Sequence, residues 1–291
     1  MNEVKINDVI VDLMVEKVKE RMNCDVIAMD VPKNNGMKKA IAIREKGVRI
    51  VPTIYIDDMI SEIVDHKLTV ESAVEEIIDV YIKNKEPEGI ADIVSRLSKE
   101  TILQDVQYQL VNKEQNKARL EEVPYKEFLD LAALYRTILQ RTEEGNAGIV
   151  INNKLCEVYG ISQEELEAAA KRNMEKETFK VASMAEVLGF AGIPIEDEVQ
   201  MYVCSNKSGI NGATIMFETK YFRELAEKLE SDLYILPSSI SEVIAIPISA
   251  GDLESLKEMV KSINGTEVAA EEVLSDTVYK YIREEDKIII A

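Results

Sequence analysis

Two stretches hold the residue types best suited to meeting a ligand. Ser205-Asn206-Lys207-Ser208-Gly209-Ile210-Asn211-Gly212 combines small side chains, one ammonium group and two carboxamides between two predicted strands. Backbone amides in such a loop can converge on an anion or a peptide carboxylate, although the same composition also makes a plain connection. Pro237-Ser238-Ser239-Ile240-Ser241-Glu242 sets hydroxyls beside a carboxylate. Serine hydroxyls either cap turns or present a nucleophile, and with no base nearby in the sequence turn chemistry is the simpler reading. The candidate binding residues are therefore Asn206, Lys207, Asn211, Ser238, Ser239 and Glu242, and no residue is assigned a catalytic role.

The remaining inventory excludes more than it offers. The single histidine, His66, falls near the end of a predicted helix, where the dipole favours it. A zinc site of the usual kind needs clustered His and Cys, and Cys24, Cys156 and Cys204 are scattered. GxxxxGK[ST], GxGxxG, the EF-hand loop and GxSxG are all absent. Glu196-Asp197-Glu198 is dense in carboxylates, but three consecutive residues seldom converge on a cation and read as a solvated loop. No metal or cofactor is expected. Asn112 and Asn116 either bond locally or pack into the second unit.

The elements that must position these residues follow from periodicity. Val11, Val15, Val18 and Met22 form the stripe of a first helix over 3–22. Asp25–Val31, with Ile27, Met29 and Val31 on one face, and Met37–Glu45 make a hairpin about Asn35-Gly36, and Val48–Ile56 follows as a third strand. Two helices come next, with Asp57 and Thr69 as N-caps. This α-β-β-β-α-α unit ends near a polar linker, Lys83–Gly89, and a connecting helix is predicted over Ile90–Leu103. Beyond it, strands are predicted at Asp105–Val111, Leu129–Leu139 (helical by pattern as an alternative), Ala147–Ile151 after a Gly145-Asn146 turn, Val199–Cys204, Ala213–Phe217, Leu233–Leu236, Val243–Ile248, Val278–Ile282 and Lys287–Ile290. Helices are predicted at Ser162–Lys176, opened by a Ser162/Glu165 capping box, at Lys220–Glu230, and at Asp252–Ile263, closed by Asn264-Gly265. The expectation is an α+β fold with mixed, mainly antiparallel sheets and helices in two units, 1–95 and 96–291.

Charge narrows the partners. Residues 1–95 carry 13 Lys and Arg against 19 Asp and Glu, and residues 96–291 carry 22 against 35, so the net charge of −19 is spread over the chain. A uniformly negative surface repels phosphate backbones, which argues against nucleic acid as a partner. The start lacks the basic and apolar regions of a signal peptide, and no apolar run approaches the roughly 20 residues that cross a bilayer. With scattered cysteines, this points to the cytoplasm and away from membranes.

Lys33-Asn34-Asn35-Gly36, Pro52-Thr53-Ile54-Tyr55-Ile56, Leu110-Val111-Asn112 with Asn116, Asn211-Gly212-Ala213, Leu233–Ser239 with Glu242-Val243-Ile244, and Glu271–Asp276 with Val278-Tyr279 recur as a set. On these the chain resembles a domain-of-unknown-function family common in anaerobic gut bacteria, over almost its whole length. The resemblance implies a cytoplasmic bacterial protein and carries no functional residues with it. The leading expectation is a non-catalytic protein that binds a protein or small ligand. Two alternatives are a hydrolase using Ser238 or Ser239 with carboxylates, and an acidic nucleic-acid mimic from a mobile element.

Overall fold

The computed structural model describes residues 3–45, 51–85, 95–142, 145–189 and 200–291. The chain divides into two compact units, Met1–Leu97 and Ser98–Ala291, and its architecture is α+β. None of its described helices is long and apolar enough to cross a membrane.

In the first unit, helix α1 (Glu3–Met22) buries Val11, Met14 and Val18 at spacings of three and four. Strands β1 (Asp25–Lys33) and β2 (Gly36–Arg44) pair antiparallel, and β3 (Thr53–Tyr55) joins the other side of β2. Lys33 pairs with Gly36, so the hairpin loop is Asn34-Asn35, with Asn35 at a left-handed φ of 60° and Gly36 already in the strand. Ile41 and Ile43 point into the core as expected. On β1, however, the buried position is Val26, opposite Ile43, while Ile27, Met29 and Val31 are half-buried. Residues 48–50 of the expected third strand lie outside the described residues. Helices α2 (Asp57–Val64) and α3 (Val70–Asn84) complete the core with Ile60, Val74, Ile77 and Tyr81.

Thr69 caps α3 by accepting the Ser72 N–H at 3.1 Å. Asp57 does not cap α2: Ile56 holds that position, and the Asp57 carboxylate instead accepts the Lys39 N–H at 3.2 Å, tying the helix to β2. His66 lies two residues beyond the last residue of α2, at a φ of 59°. Its N–H donates to Ile63 O and that of Lys67 to Glu62 O, a paired ending in which glycine is the usual left-handed residue.

The second unit opens with α4 (Lys99–Asp105), capped by Ser98; residues 90–94 of the helix expected there lie outside the described residues. Strand β4 (Val106–Asn112), a single turn α5 (Lys117–Leu120) and strands β5 (Tyr125–Phe128), β6 (Leu131–Thr142) and β7 (Gly145–Val150) follow. All three other strands pair with β6, which resolves the strand-or-helix alternative in favour of strand. Gly145 and Asn146 pair with Thr142 and Arg141, so they lie in strand β7 and do not form the expected turn.

Next come α6 (Asn153–Tyr159), α7 (Gln163–Met174), β8 (Phe179–Ser183), α8 (Met184–Val187), β9 (Tyr202–Asn206), a 3-10 segment (Gly212–Phe217) and α9 (Thr219–Leu229). The chain finishes with β10 (Leu233–Ser239), β11 (Glu242–Pro247), α10 (Leu253–Thr266), β12 (Tyr279–Ile282) and β13 (Lys287–Ile290). Six strands form one antiparallel sheet in the order β13-β12-β10-β11-β9-β8. The Ser162/Glu165 capping box is present at α7. The Glu196–Glu198 cluster lies outside the described residues.

Two expectations are corrected here. Ala213–Phe217 is a buried 3-10 segment and not a strand: Asn211 enters it at a left-handed φ of 54°, and Thr214 Oγ1 donates back to Asn211 O at 2.9 Å. A short apolar run looks the same whichever way it is wound. Asn264-Gly265 does not end α10, which continues to Thr266, because the buried Asn264 carboxamide donates to Ser275 O (2.9 Å) and Asp276 Oδ1 (2.8 Å).

Two carboxylates tie the second unit together. Asp130, in the β5–β6 turn, accepts from Ser275 Oγ at 2.9 Å and from Tyr279 Oη at 2.8 Å. Burial, then the Asp130 charge, pushes the Tyr279 phenol up and keeps it a donor. Glu167 of α7 accepts from Lys126 Nζ at 2.6 Å and Tyr135 Oη at 2.8 Å, and its carbonyl accepts from Tyr108 Oη at 3.2 Å. The rings of Tyr108 and Phe128 both pack on Phe217, at 5.1 and 4.7 Å between centroids.

Burial raises the Glu167 carboxyl, but the hydrogen bonds from Lys126 and Tyr135 outweigh it, and its pKa ends below the ordinary 4.5. A carboxyl held below its unfolded value stabilises the fold above that value and loses the contribution as pH falls through the lowered one. Glu167→Gln is therefore expected to cost about 1.5–3 kcal/mol at neutral pH. In urea titrations at a series of pH values, the gap from wild type should narrow progressively below the ordinary glutamate range. A gap that is constant with pH would contradict the assignment.

Candidate functional site

The chain reversal between β9 and the 3-10 segment is held by its own polar groups. Asn206 Nδ2 donates to Ile210 O at 2.8 Å, and Ser208 Oγ donates to Asn206 Oδ1 at 3.1 Å. The N–H groups of Lys207, Gly209 and Ile210 donate to Thr178 O, Asn206 O and Ser208 Oγ. These amides are spent inside the fold, so an anion arriving here would be met by the exposed Lys207 ammonium and not by these three N–H groups.

The β10–β11 hairpin sits directly beside this loop. Ser205 Oγ donates to Ser241 O at 2.7 Å, and Ala213 N donates to Ile240 O at 3.2 Å. Ile240 N donates in turn to Glu272 O at 2.9 Å. Gly212 permits the approach: a Cβ there would strike Ser205 Oγ and Ser241 O, and stand 2.8 Å from Asn206 N. The structure thus brings the two sequence candidates into one corner.

Within that corner Ser239 Oγ accepts the Ser241 N–H at 3.0 Å, which is turn chemistry. Ser238 Oγ reaches Glu242 Oε1 only at 3.5 Å, a marginal contact. Ser238, Ser239 and Glu242 are half-buried and Asn211 is buried.

Asn206 and Asn211 also wall a narrow cleft with Gln107 and Tyr108 of β4, Asn173 of α7 and Thr214. Its volume of about 20 Å³ admits one water and no metabolite. Gln107 and Asn173 continue into a shallower groove of about 370 Å³ with Gln104, Asp105 and Lys176. Asn173 Nδ2 is engaged there, donating to Leu103 O and Val106 O. The sequence offered no sign of Gln107 or Asn173, because neither sits in a motif and both reach the corner only through strand and helix packing.

Burial disfavours the thiolate form at all three cysteines. Burial pushes Cys204 up to about 12, burial then Glu45 and Asp25 raise Cys24, and burial raises Cys156. Among the described residues no group of three or more His, Cys, Asp or Glu is placed to hold a metal.

Fold and site together define an α+β protein with a polar corner built from turn-capping serines and asparagines. The model of a family of unknown function, DUF5688, matches residues 7–283, and the chain belongs to that family. No curated protein and no solved structure matches it.

Gly212→Ala tests the corner itself. The added methyl has no room, and overpacking of this kind costs about 1–3 kcal/mol. Urea unfolding of the variant should show that loss, whereas wild-type stability would mean that the two loops do not meet closely.

Proposed function

We propose that this is a non-catalytic binding protein of the bacterial cytoplasm, and that it engages a protein or small-ligand partner through the corner made by Ser205–Gly212 and Pro237–Glu242. One observation carries the reading. The hydroxyls and carboxamides of the corner are committed to their own turns, with Ser205 on Ser241 O, Ser239 on Ser241 N and Asn206 on Ile210 O, which makes a rigid platform. Rigid scaffolds that present loops are where recognition usually resides. The corner's exposed tip, Lys207-Ser208-Gly209, offers a cation on a chain of net charge −19, a contrast that favours an acidic feature on the partner.

The hydrolase reading gains less support, since Ser239 is occupied by the turn and Ser238 has only a distant carboxylate. The nucleic-acid mimic gains little either. Many carboxylates are neutralised by nearby lysines, as in Lys17–Glu71, Lys99–Glu165 and Lys280–Asp232, which interrupts any phosphate-like row.

The test compares wild type with Lys207→Glu, each immobilised and challenged with cytosol from the source organism. Native mass spectrometry of the purified proteins covers small ligands. A stoichiometric partner should be retained by wild type and bound about tenfold more weakly by the variant, with melting temperature unchanged. No partner on either protein, or equal retention on both, would defeat the reading.

A further inference from the structure

Strand β1 stands at one edge of its sheet, and among the described residues β2 is its single strand neighbour. Lys33 and Gly36 close the hairpin loop as a hydrogen-bonded pair, and the register runs without a bulge to Asp25 and Arg44. Alternation therefore directs the N–H and C=O groups of Asp25, Ile27, Met29, Val31 and Lys33 to β2. Those of Val26, Ala28 and Asp30 point the other way, with the Pro32 carbonyl. The N–H groups of Ala28 and Asp30 meet no acceptor among the described residues, and both residues are exposed. Val26 is buried and Pro32 has no N–H, so these two bound an open stretch centred on Met29.

The two faces of β1 differ. Val26 joins Ile41, Ile43 and Ile54 in the core beneath the helices. Ile27, Met29 and Val31 are half-buried on the opposite face, where Ile27 pairs with Ala42, Met29 with Ala40, and Ala40 in turn with Tyr55. Asp25 stands at one end of this apolar row and Lys33 at the other. Lys33 Nζ lies 4.3 Å from the Tyr55 ring centroid, and neither Lys33 nor Asp25 forms an ion pair among the described residues.

An open strand edge is a template for another strand, and the sequence of β1 is complementary to itself. When a second copy is turned antiparallel about Met29, Ala28 faces Asp30 of that copy. The two exchange both N–H···O bonds, and symmetry repeats the exchange. On the face away from the helices Met29 meets Met29, Ile27 meets Val31, and Asp25 meets Lys33. The apolar row is doubled and each unpaired charge gains its opposite. The parallel arrangement in register would set Asp25 against Asp25 and Lys33 against Lys33, which is repulsive. A strand from an unrelated protein would need no such symmetry in β1. The antiparallel pairing also closes on itself, because each copy's β1 edge is used by the other.

We propose that β1 is a self-association edge, through which two copies of the chain join antiparallel about Met29 into one continuous sheet. The contact lies in the first unit and stands or falls independently of the corner at Ser205–Gly212.

Sedimentation of the full chain over a micromolar concentration series should show a monomer–dimer equilibrium. Ala28→Pro removes an outward N–H and no bond to β2, a change that edge strands admit. It should weaken association at least about tenfold, with circular dichroism unchanged. Met29→Cys reads the register. Facing Cα atoms in a non-hydrogen-bonded pair stand about 4.5 Å apart, within the span of about 4.4–6.8 Å that a disulfide bridges. Mild oxidation should therefore convert Met29→Cys to a covalent dimer on a non-reducing gel. Ile27→Cys, which faces Val31, should cross-link no more than wild type, whose own thiols are the control. The cysteine pair decides the matter even if Ala28→Pro fails to fold. The proposal is overturned if wild type is monomeric throughout the series, as it would be if the edge served a strand of another protein. It is equally overturned if folded Ala28→Pro associates as tightly as wild type, or if the two cysteine variants cross-link alike.

Discussion

Asp130 stands in a short turn between β5 and β6, yet both of its oxygens are committed elsewhere in the second unit, one to Ser275 and one to Tyr279. Ser275 lies just before β12 and Tyr279 is its first residue, so a single carboxylate joins the sheet built on β6 to the six-stranded sheet. The attachment extends on both sides. Lys113 N donates to Asp130 O at the end of β4, and Asn264 of α10 donates to Ser275 O. Ser275 and Tyr279 are essentially without solvent exposure. In such surroundings a hydroxyl with no acceptor is costly, so Asp130 constrains both sheets.

The same economy runs through the rest of the unit. Glu167 gathers Lys126, Tyr135 and Tyr108 onto α7, and the Ser205–Ser241 contact closes the polar corner. Half-buried polar side chains add these joins to the apolar core, in a chain with no Trp and five Phe.

Much of the local structure was legible in the sequence. The Val11–Val18 stripe, the Ser162/Glu165 box and the Thr69 cap each depend on residues within about one or two helical turns, which periodicity and capping chemistry can reach. Helix α6 buries no side chain and so left no apolar stripe to read; the Asn152 cap and the left-handed Gly160 that bound it are seen only in the structure. What local pattern could not supply was tertiary. Asn264-Gly265 looks like a helix stop until the Ser275 carbonyl is placed against it, and Ala213–Phe217 looks like a strand until Gly212 and Asn211 are seen to be packed into a corner. The candidate residues Asn206, Lys207, Asn211, Ser238, Ser239 and Glu242 were found by loop composition, and the loops do meet. The Asp130–Ser275 bond spans 145 residues and has no local signature at all.

Hydrogen exchange on Asp130→Ala tests the central constraint most directly. If the carboxylate couples the two sheets, amide protection should fall together along β4 and β6 and along β10 and β12, with the first unit unaffected. Faster exchange confined to the few amides around the β5–β6 turn, with both sheets as protected as in wild type, would contradict the account.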